Sequence, residues 1–381
     1  MFQSDPSLPV TLKRRVRDRS PDWLPLPMHP WQASRLRERE PLARLLASGL
    51  AEDLGPIGTP FRPTTSLRTL HGDHAPYMLK FSLSVRVTNS RRLMEPKEWQ
   101  RGKQMHRLLT GPFAAVLEDE ASGLHVLGEP VHLALRDGDR QVAKSAVVLR
   151  VNPFRDAAAR DVIAVVTLCQ AHPYGGRSRL AWHLDRLTRR MAIGPETAAG
   201  LWLDRFLDVA LAPLLQLEAA HGLLLSAHGQ NLLLRLEDDL PAAAYYRDCQ
   251  GAGYDLARAG HLRRWLPELG EEASNGVELA LGHKLLAYYL VVNAVFHVVA
   301  GLARATTGDE RSLLARLRRF LLAWRSAMPG QTGFVDHLLE APRLDFKANL
   351  LTCLRDINES HAGTEQLAVY GAMPNPIASA H

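Results

Sequence analysis

Between residues 77 and 88 apolar and polar positions alternate. Tyr77, Leu79, Phe81, Leu83, Val85 and Val87 fall on one face, with Lys80, Ser82, Ser84, Arg86 and Thr88 between them. A period of two predicts a β-strand with one buried face, and it puts Ser82, Ser84 and Arg86 on the solvent side. Eight residues of straight strand span roughly 26 Å. Lys80 and Thr88 therefore cannot hold one small group unless the chain bends between them. Shorter strands are predicted at 125–127, 132–135, 141–151 and 162–168. Residues 1–30 read as an extended lead-in and 31–55 as helix. From about residue 179 the apolar positions recur at helical spacing. The helix predicted at 202–221 contains Pro213, which has no N–H to give and is expected to kink or split it. Residues 231–246 read as strand, acidic turn and strand, and helices follow at 276–303 and 311–327. The fold class expected is α+β: a mixed, largely antiparallel sheet region over 1–180, then a mainly helical domain with a small sheet over 181–381.

Residues 285–303 form a run without a formal charge that is long enough to cross a bilayer. Asn293 and His297 share one helical face there, and Lys284 and Arg304 flank the run. A buried helix of a soluble domain is the expected state, with polar partners for Asn293 and His297. Composition agrees: 381 residues with 46% hydrophobic and 23% charged residues exclude a largely disordered chain. A net charge of +6 is too small an excess to argue for nucleic acid. The basic stretches 13–19 and 311–325 lack interleaved aromatics and read as solvated faces. Three cysteines, Cys169, Cys249 and Cys353, lie far apart, so neither a disulfide framework nor a zinc ribbon is expected. The first ten residues lack the apolar core of a signal peptide, and the cytoplasm is the expected compartment.

Three clusters carry candidate chemistry. Ser66-Leu67-Arg68-Thr69 is a hydroxyl-rich turn with a guanidinium, suited to phosphate oxygens, though a solvated turn has the same look. The polar positions from Lys80 to Thr88, then Asn89 and Arg92, form the second. The third is Ser226-Ala227-His228-Gly229-Gln230-Asn231, with Arg247-Asp248 about 17 residues on. A histidine there can polarise a reacting carboxyl, and an aspartate is a hard oxygen ligand for Mg²⁺; a structural hydrogen-bond cluster is the alternative. Neither a GxxxxGK[ST] loop nor GxGxxG is present.

The ordered set MHPWQ (28–32), SLRTL (66–70), PYMLKFSLSVRVTNSRR (76–92), HGLLLSAHGQN (221–231) and YRD (246–248) resembles the NRPS-independent siderophore (NIS) synthetases of the aerobactin-synthetase type. Tyr288, Tyr289, Asn293, Lys347 and Arg355 add to the match. The resemblance implies a cupped-hand fold, with a partial fingers-like domain over 1–180 and a palm-like domain over 181–381. It also implies that the thumb region of the longer family members is missing here. The activity implied is adenylation of a citrate-type carboxylate with MgATP, then transfer of the acyl group to an amine or alcohol.

Residue by residue, Ser66, Arg68, Thr69 and Lys80 would grip ATP phosphates, and Gln230, Asn231 and Asp248 would bind nucleotide, with Asn231 and Asp248 on Mg²⁺. Thr88, Asn89 and Arg92 would hold the carboxylate substrate, citrate or a citrate derivative. His228 would sit at the reacting carboxyl, so His228 and Arg92 are the catalytic candidates. Ser226 stands where the family usually has Glu. A truncated, non-catalytic homologue or partner subunit that keeps the nucleotide-binding palm is therefore the alternative to an active ligase. A homodimer or a separate N-terminal partner fits either, and no membrane or nucleic-acid partner is implied.

Overall fold

The computed structural model describes residues 23–87, 90–306, 308–355, 357 and 369–380. Helices make up 45% and strands 19% of it, in several small mixed sheets, so the fold is α+β. The chain groups into two compact units that alternate along the sequence. The first comprises Met1–Gln100, Gly128–Arg160 and Asn349–Ala368, and the second Arg101–Leu127, Asp161–Ala348 and Val369–His381.

The first unit is built on a five-stranded antiparallel sheet in the order Arg62–Pro63, Thr69–His71, Tyr77–Phe81, Val147–Val151, Val131–Leu133. The strand predicted over 77–88 breaks at Ser82. Leu83–Val87 instead pairs with Ser90–Arg92 in a separate hairpin. Ser82 is buried, not solvated, because its hydroxyl accepts the Met94 N–H at 3.0 Å and its own N–H reaches the Ala146 carbonyl at 2.8 Å. Lys80 is buried on the same supposedly wet side. The strand predicted at 141–151 is split: Arg140–Gln141 and Val147–Val151 are strands, with a tight turn at Ala143–Ser145 between them. Residues 31–55 give two short helices, Pro30–Leu36 and Leu42–Ala47. Pro41 lies between them, and a proline disfavours helical geometry in the residue before it.

In the second unit a four-stranded sheet runs Val162–Ala164, Leu232–Glu237, Leu240–Tyr246, Leu124–Val126, the last pair parallel. The acidic turn predicted within 231–246 is there, with Asp238 and Asp239 at φ 50° and 64°, as a two-residue hairpin turn of the right twist requires. Buried Asp239 ties that turn to the Arg179–Met191 helix through His183 at 2.9 Å and Arg190 at 3.1 Å. The strand predicted at 162–168 ends at Ala164, and Val165–Cys169 is helical. A short apolar run serves either state, and periodicity does not separate them. Pro213 does not split its helix. Pro195–Phe206 continues through a wide π-turn at Leu207–Leu211 into Ala212–His221, and the widened turn absorbs the missing N–H.

Among the described residues Leu279–Ala305 is the one helix long and apolar enough to cross a membrane, and most of it is buried. It includes a second π-helical stretch, Ala287–Val295. Gly301 allows it to pack closely: a Cβ there would stand 3.1 Å from Leu180 Cδ2 and 3.2 Å from Cys169 Cβ. The polar pair behaves unevenly. Asn293 donates to the Tyr288 carbonyl at 3.1 Å, but buried His297 Nε2 has no partner among the described residues. The basic helix Glu310–Ala327 is no bare solvated face either. Arg316 binds Asp204, Arg318 donates to the Ile377 carbonyl at 3.0 Å, and Arg325 lies 3.2 Å from Glu340.

Burial, helped by Arg304, lowers the pKa of His297 below its ordinary 6.5. Burial also lowers His261 and His337, where Arg264 and His283 respectively add to it. Each takes up a proton more readily unfolded than folded, so their contribution to stability is intact above pH 6.5 and is lost as pH falls below it. Thermal melts should therefore show Tm dropping between pH 7.5 and 5.5. His297→Leu, which also removes an unsatisfied buried nitrogen worth about 1–3 kcal/mol, should be neutral or stabilising at pH 7.5 and should shrink the acid loss. An acid loss as large as the parent's would remove His297 from the account.

Candidate active site

In the first unit the SLRT turn leads into the Thr69–His71 strand. The Thr64 N–H bonds to the Thr69 carbonyl at 2.9 Å, Leu67 takes a left-handed φ of 59°, and Ser66 Oγ accepts the Thr69 N–H at 3.2 Å. Thr69 lies directly opposite Lys80 in the sheet, and opposed residues share a face. That register brings the turn to Lys80. The ammonium of Lys80 lies 3.4 Å from Glu129 Oε1, which also accepts Arg150 Nε at 2.9 Å, and all three residues are buried. The hairpin then returns the chain so that Arg92 pairs with Leu83, and Arg68 Nη1 donates to the Arg92 carbonyl at 3.3 Å. Arg92 staples its own hairpin by donating to the Val87 carbonyl at 2.9 Å. Ser66, Arg68, Thr69, Lys80 and Arg92 thus form one cation-rich neighbourhood. Thr88 and Asn89 lie outside the described residues.

In the second unit residues 225–231 form a loop clamped from two sides. The Gly229 N–H donates to the Asn293 carbonyl at 3.2 Å, and the Gly229 carbonyl accepts the Val166 N–H at 2.9 Å. A Cβ at Gly229 would lie 2.9 Å from that Asn293 oxygen, so the position has no room for a side chain. Gln230 donates its N–H to His228 Nδ1 at 3.2 Å. In the neutral ring Nε2 must then carry the hydrogen, which makes it the donor. Tyr289 packs on His228 with ring centroids 5.9 Å apart, and Lys347 Nζ reaches the Tyr289 hydroxyl at 3.4 Å. Arg247 turns inward: its guanidinium donates to the Gln230 carbonyl at 2.7 and 3.1 Å and holds the loop.

Asp248 has φ 89°, an uncommon left-handed conformation for a residue with a side chain. The Tyr246 hydroxyl and the Gly251 N–H hold it there through its carbonyl, at 3.1 and 2.9 Å. The carboxylate lies close against Gly251: a Cβ there would stand 3.1 Å from Asp248 Oδ2 and 3.8 Å from Ser226 Cβ. The Ser226 hydroxyl donates to the Gly251 carbonyl at 2.7 Å, and Asn231 Nδ2 reaches the Ser226 carbonyl at 3.4 Å. Among the described residues no group of three or more His, Cys, Asp and Glu is arranged to hold a metal ion alone. The carboxylate of Asp248 and the amide oxygen of Asn231 are nevertheless hard donors of the kind that fit Mg²⁺, which takes most of its ligands from phosphate and water. The sequence signalled Tyr289 and Lys347 as motif members without roles. It gave no signal for Glu129 or Arg150, whose link to Lys80 exists only through the sheet.

A family model described as the IucA / IucC family matches residues 7–170, and one described as ferric iron reductase FhuF-like transporter matches residues 200–362. Two proteins named N(2)-citryl-N(6)-acetyl-N(6)-hydroxylysine synthase, from Vibrio mimicus and Escherichia coli, are 30% and 34% identical over 93% of this chain. The ATP-bound aerobactin synthetase IucA from a hypervirulent pathotype of Klebsiella pneumoniae has the same fold at TM-score 0.86 and 34% identity, over 96% of this chain. Over nearly its whole length the chain is similar to proteins of the IucA/IucC type. That likeness agrees with the resemblance carried by the SLRT, HGQN and YRD motifs. The IucA/IucC match spans the first motif group, and the second match spans the HGQN and YRD group. The chain spans 59% and 61% of the two named synthases and 63% of the solved IucA/IucC relative.

Proposed function

We propose that this chain carries out siderophore-synthetase chemistry: it activates a citrate-type carboxylate with ATP and passes the acyl group to an amine or alcohol, in the cytoplasm. The observation that carries this reading is the TM-score of 0.86 to a synthetase bound to ATP, on a chain that retains both motif groups. A carboxylate oxygen attacks the α-phosphorus, and the bond to pyrophosphate breaks. The amine nitrogen or alcohol oxygen then attacks the acyl carbon, AMP leaves with the bonding pair, and the nucleophile gives up its proton. Ser66, Arg68, Thr69 and Lys80 bind the phosphates in this reading, and Gln230 helps hold the nucleotide. Asn231 and Asp248 are the residues that would hold Mg²⁺, which would neutralise phosphate charge. Arg92, with Thr88 and Asn89, holds the remaining carboxylates of the substrate. His228 uses its Nε2 hydrogen to stabilise charge on the reacting carboxyl.

A second reading, a homologue or partner subunit that binds nucleotide without turnover, is favoured by Ser226, whose hydroxyl is committed to the Gly251 carbonyl. Two measurements on the full chain separate them: ATP binding by calorimetry, and citrate-dependent pyrophosphate release with an amine present. Binding with release supports the ligase, binding without release supports the second reading, and no binding refutes both.

A further inference from the structure

Residues 28–32 belong to the motif set, yet the chemistry above assigns them no task. Gln32 is only 2% exposed although it sits on the short Pro30–Leu36 helix. Its amide makes three hydrogen bonds. Oε1 accepts the Ser84 N–H at 2.9 Å, and Nε2 donates to Ser84 Oγ and to the Lys144 carbonyl, each at 3.0 Å. The sheet register accounts for this arrangement. Phe81 lies opposite Val147, and Ser82 N–H still reaches the Ala146 carbonyl at 2.8 Å. Carried on in the same register, the ladder would set Ser84 opposite Lys144. Instead the strands have parted, and the Gln32 amide stands between them, bonded to Ser84 on one side and Lys144 on the other. It does the work of a peptide group from a strand that is not there.

The hairpin that peels away at this point carries Arg92. Two-stranded hairpins are marginal on their own, and Ser84, Val85 and Arg86 are exposed. Ser82 and the Arg68 bond to the Arg92 carbonyl secure its base. Gln32 secures the outgoing strand one residue beyond that base. We propose that Gln32 is a positioning residue for the carboxylate substrate, a wedge that fixes the angle at which the hairpin leaves the sheet and so the place of Arg92. This rests on the reading of Arg92 as the carboxylate ligand. An amide suits the task because it offers an acceptor and two donors in one plane. Leucine would leave both backbone groups unpaired, whereas glutamate keeps the acceptor for Ser84.

Hydrogen exchange on the full chain tests the wedge without any need for activity. Gln32→Leu should speed exchange at the described amides of 83–92 by about tenfold, while Thr69–His71 and Tyr77–Phe81 stay within about twofold. Gln32→Glu should recover part of the protection. Unchanged hairpin exchange, or an equal rise in all the strands, would overturn the proposal. In pyrophosphate release, Gln32→Leu should raise the citrate KM about tenfold and leave the ATP KM within about twofold. In an Arg92→Ala background the same substitution should add less than about twofold, because both changes act through one group; full additivity would also overturn it. If the parent chain releases no pyrophosphate with citrate, the failure belongs to the ligase reading, and the exchange result alone decides the wedge.

Discussion

Replacing His228 by alanine is expected to cut citrate-dependent pyrophosphate release by about 100-fold or more, the usual loss when one aimed donor to developing charge is removed. The ring is held on two sides, by the Gln230 N–H on Nδ1 and by Tyr289 against its face, so its Nε2 hydrogen is fixed in direction before substrate arrives. Nucleotide affinity should change little, since Gln230, Asn231 and Asp248 keep their own supports in the Arg247 staple and the Gly251 turn. His228→Gln, whose amide nitrogen reaches about as far as the ring Nε2 and can still donate, should recover part of the rate. Parallel calorimetry with ATP and pyrophosphate assays separates binding from turnover. Ordinary turnover in the alanine variant would remove His228 from the chemistry.

Arg92→Ala should act on the other side of the reaction. Two charge-assisted hydrogen bonds from a guanidinium fork are together worth about 3 kcal/mol or more, so the citrate KM should rise on the order of 100-fold. The planar fork of the guanidinium suits a bidentate grip on a carboxylate. Arg92→Lys keeps the charge and loses the fork, and is expected to fall between the two. ATP affinity should hold, because the Arg68 bond goes to the backbone carbonyl of residue 92 and not to its side chain. A citrate KM within twofold of the parent in Arg92→Ala would sink the assignment.

What the sequence made legible follows from where its signals come from. Alternation located the Tyr77–Phe81 strand, and an acidic turn between two apolar runs located the Leu232–Tyr246 hairpin. It failed at Ser82 and Lys80, where the polar side is the buried one and hydrogen bonds replace solvent. It also failed at Val165–Cys169, where a short, mostly apolar run suits helix and strand alike. At the candidate site, motif order grouped Ser66 to Thr69 with Lys80, and His228 with Asn231. The supporting residues were out of reach. Glu129 is 49 residues from Lys80, and Gln32 is 52 from Ser84 and 112 from Lys144. Nothing local marks Glu129, and the MHPWQ motif contains Gln32 without giving it a role; only the folded chain brings each to its partners.

The wide turn at Ala287–Val295 amounts to an extra residue wound into an otherwise regular rod. Removing one residue there would let the helix close to ordinary winding with little change of phase beyond it, because the wide turn already spreads one extra residue over the same arc. Val298, Val299 and Leu302 would stay in the core, and Gly301 would keep its close approach to Leu180 and Cys169. The cost would fall on the turn itself, where the Asn293 carbonyl that holds the Gly229 N–H would shift. A residue added just beyond the wide turn has no such absorber. It would turn the end that fills the core by about 100° against the end that clamps the His228 loop.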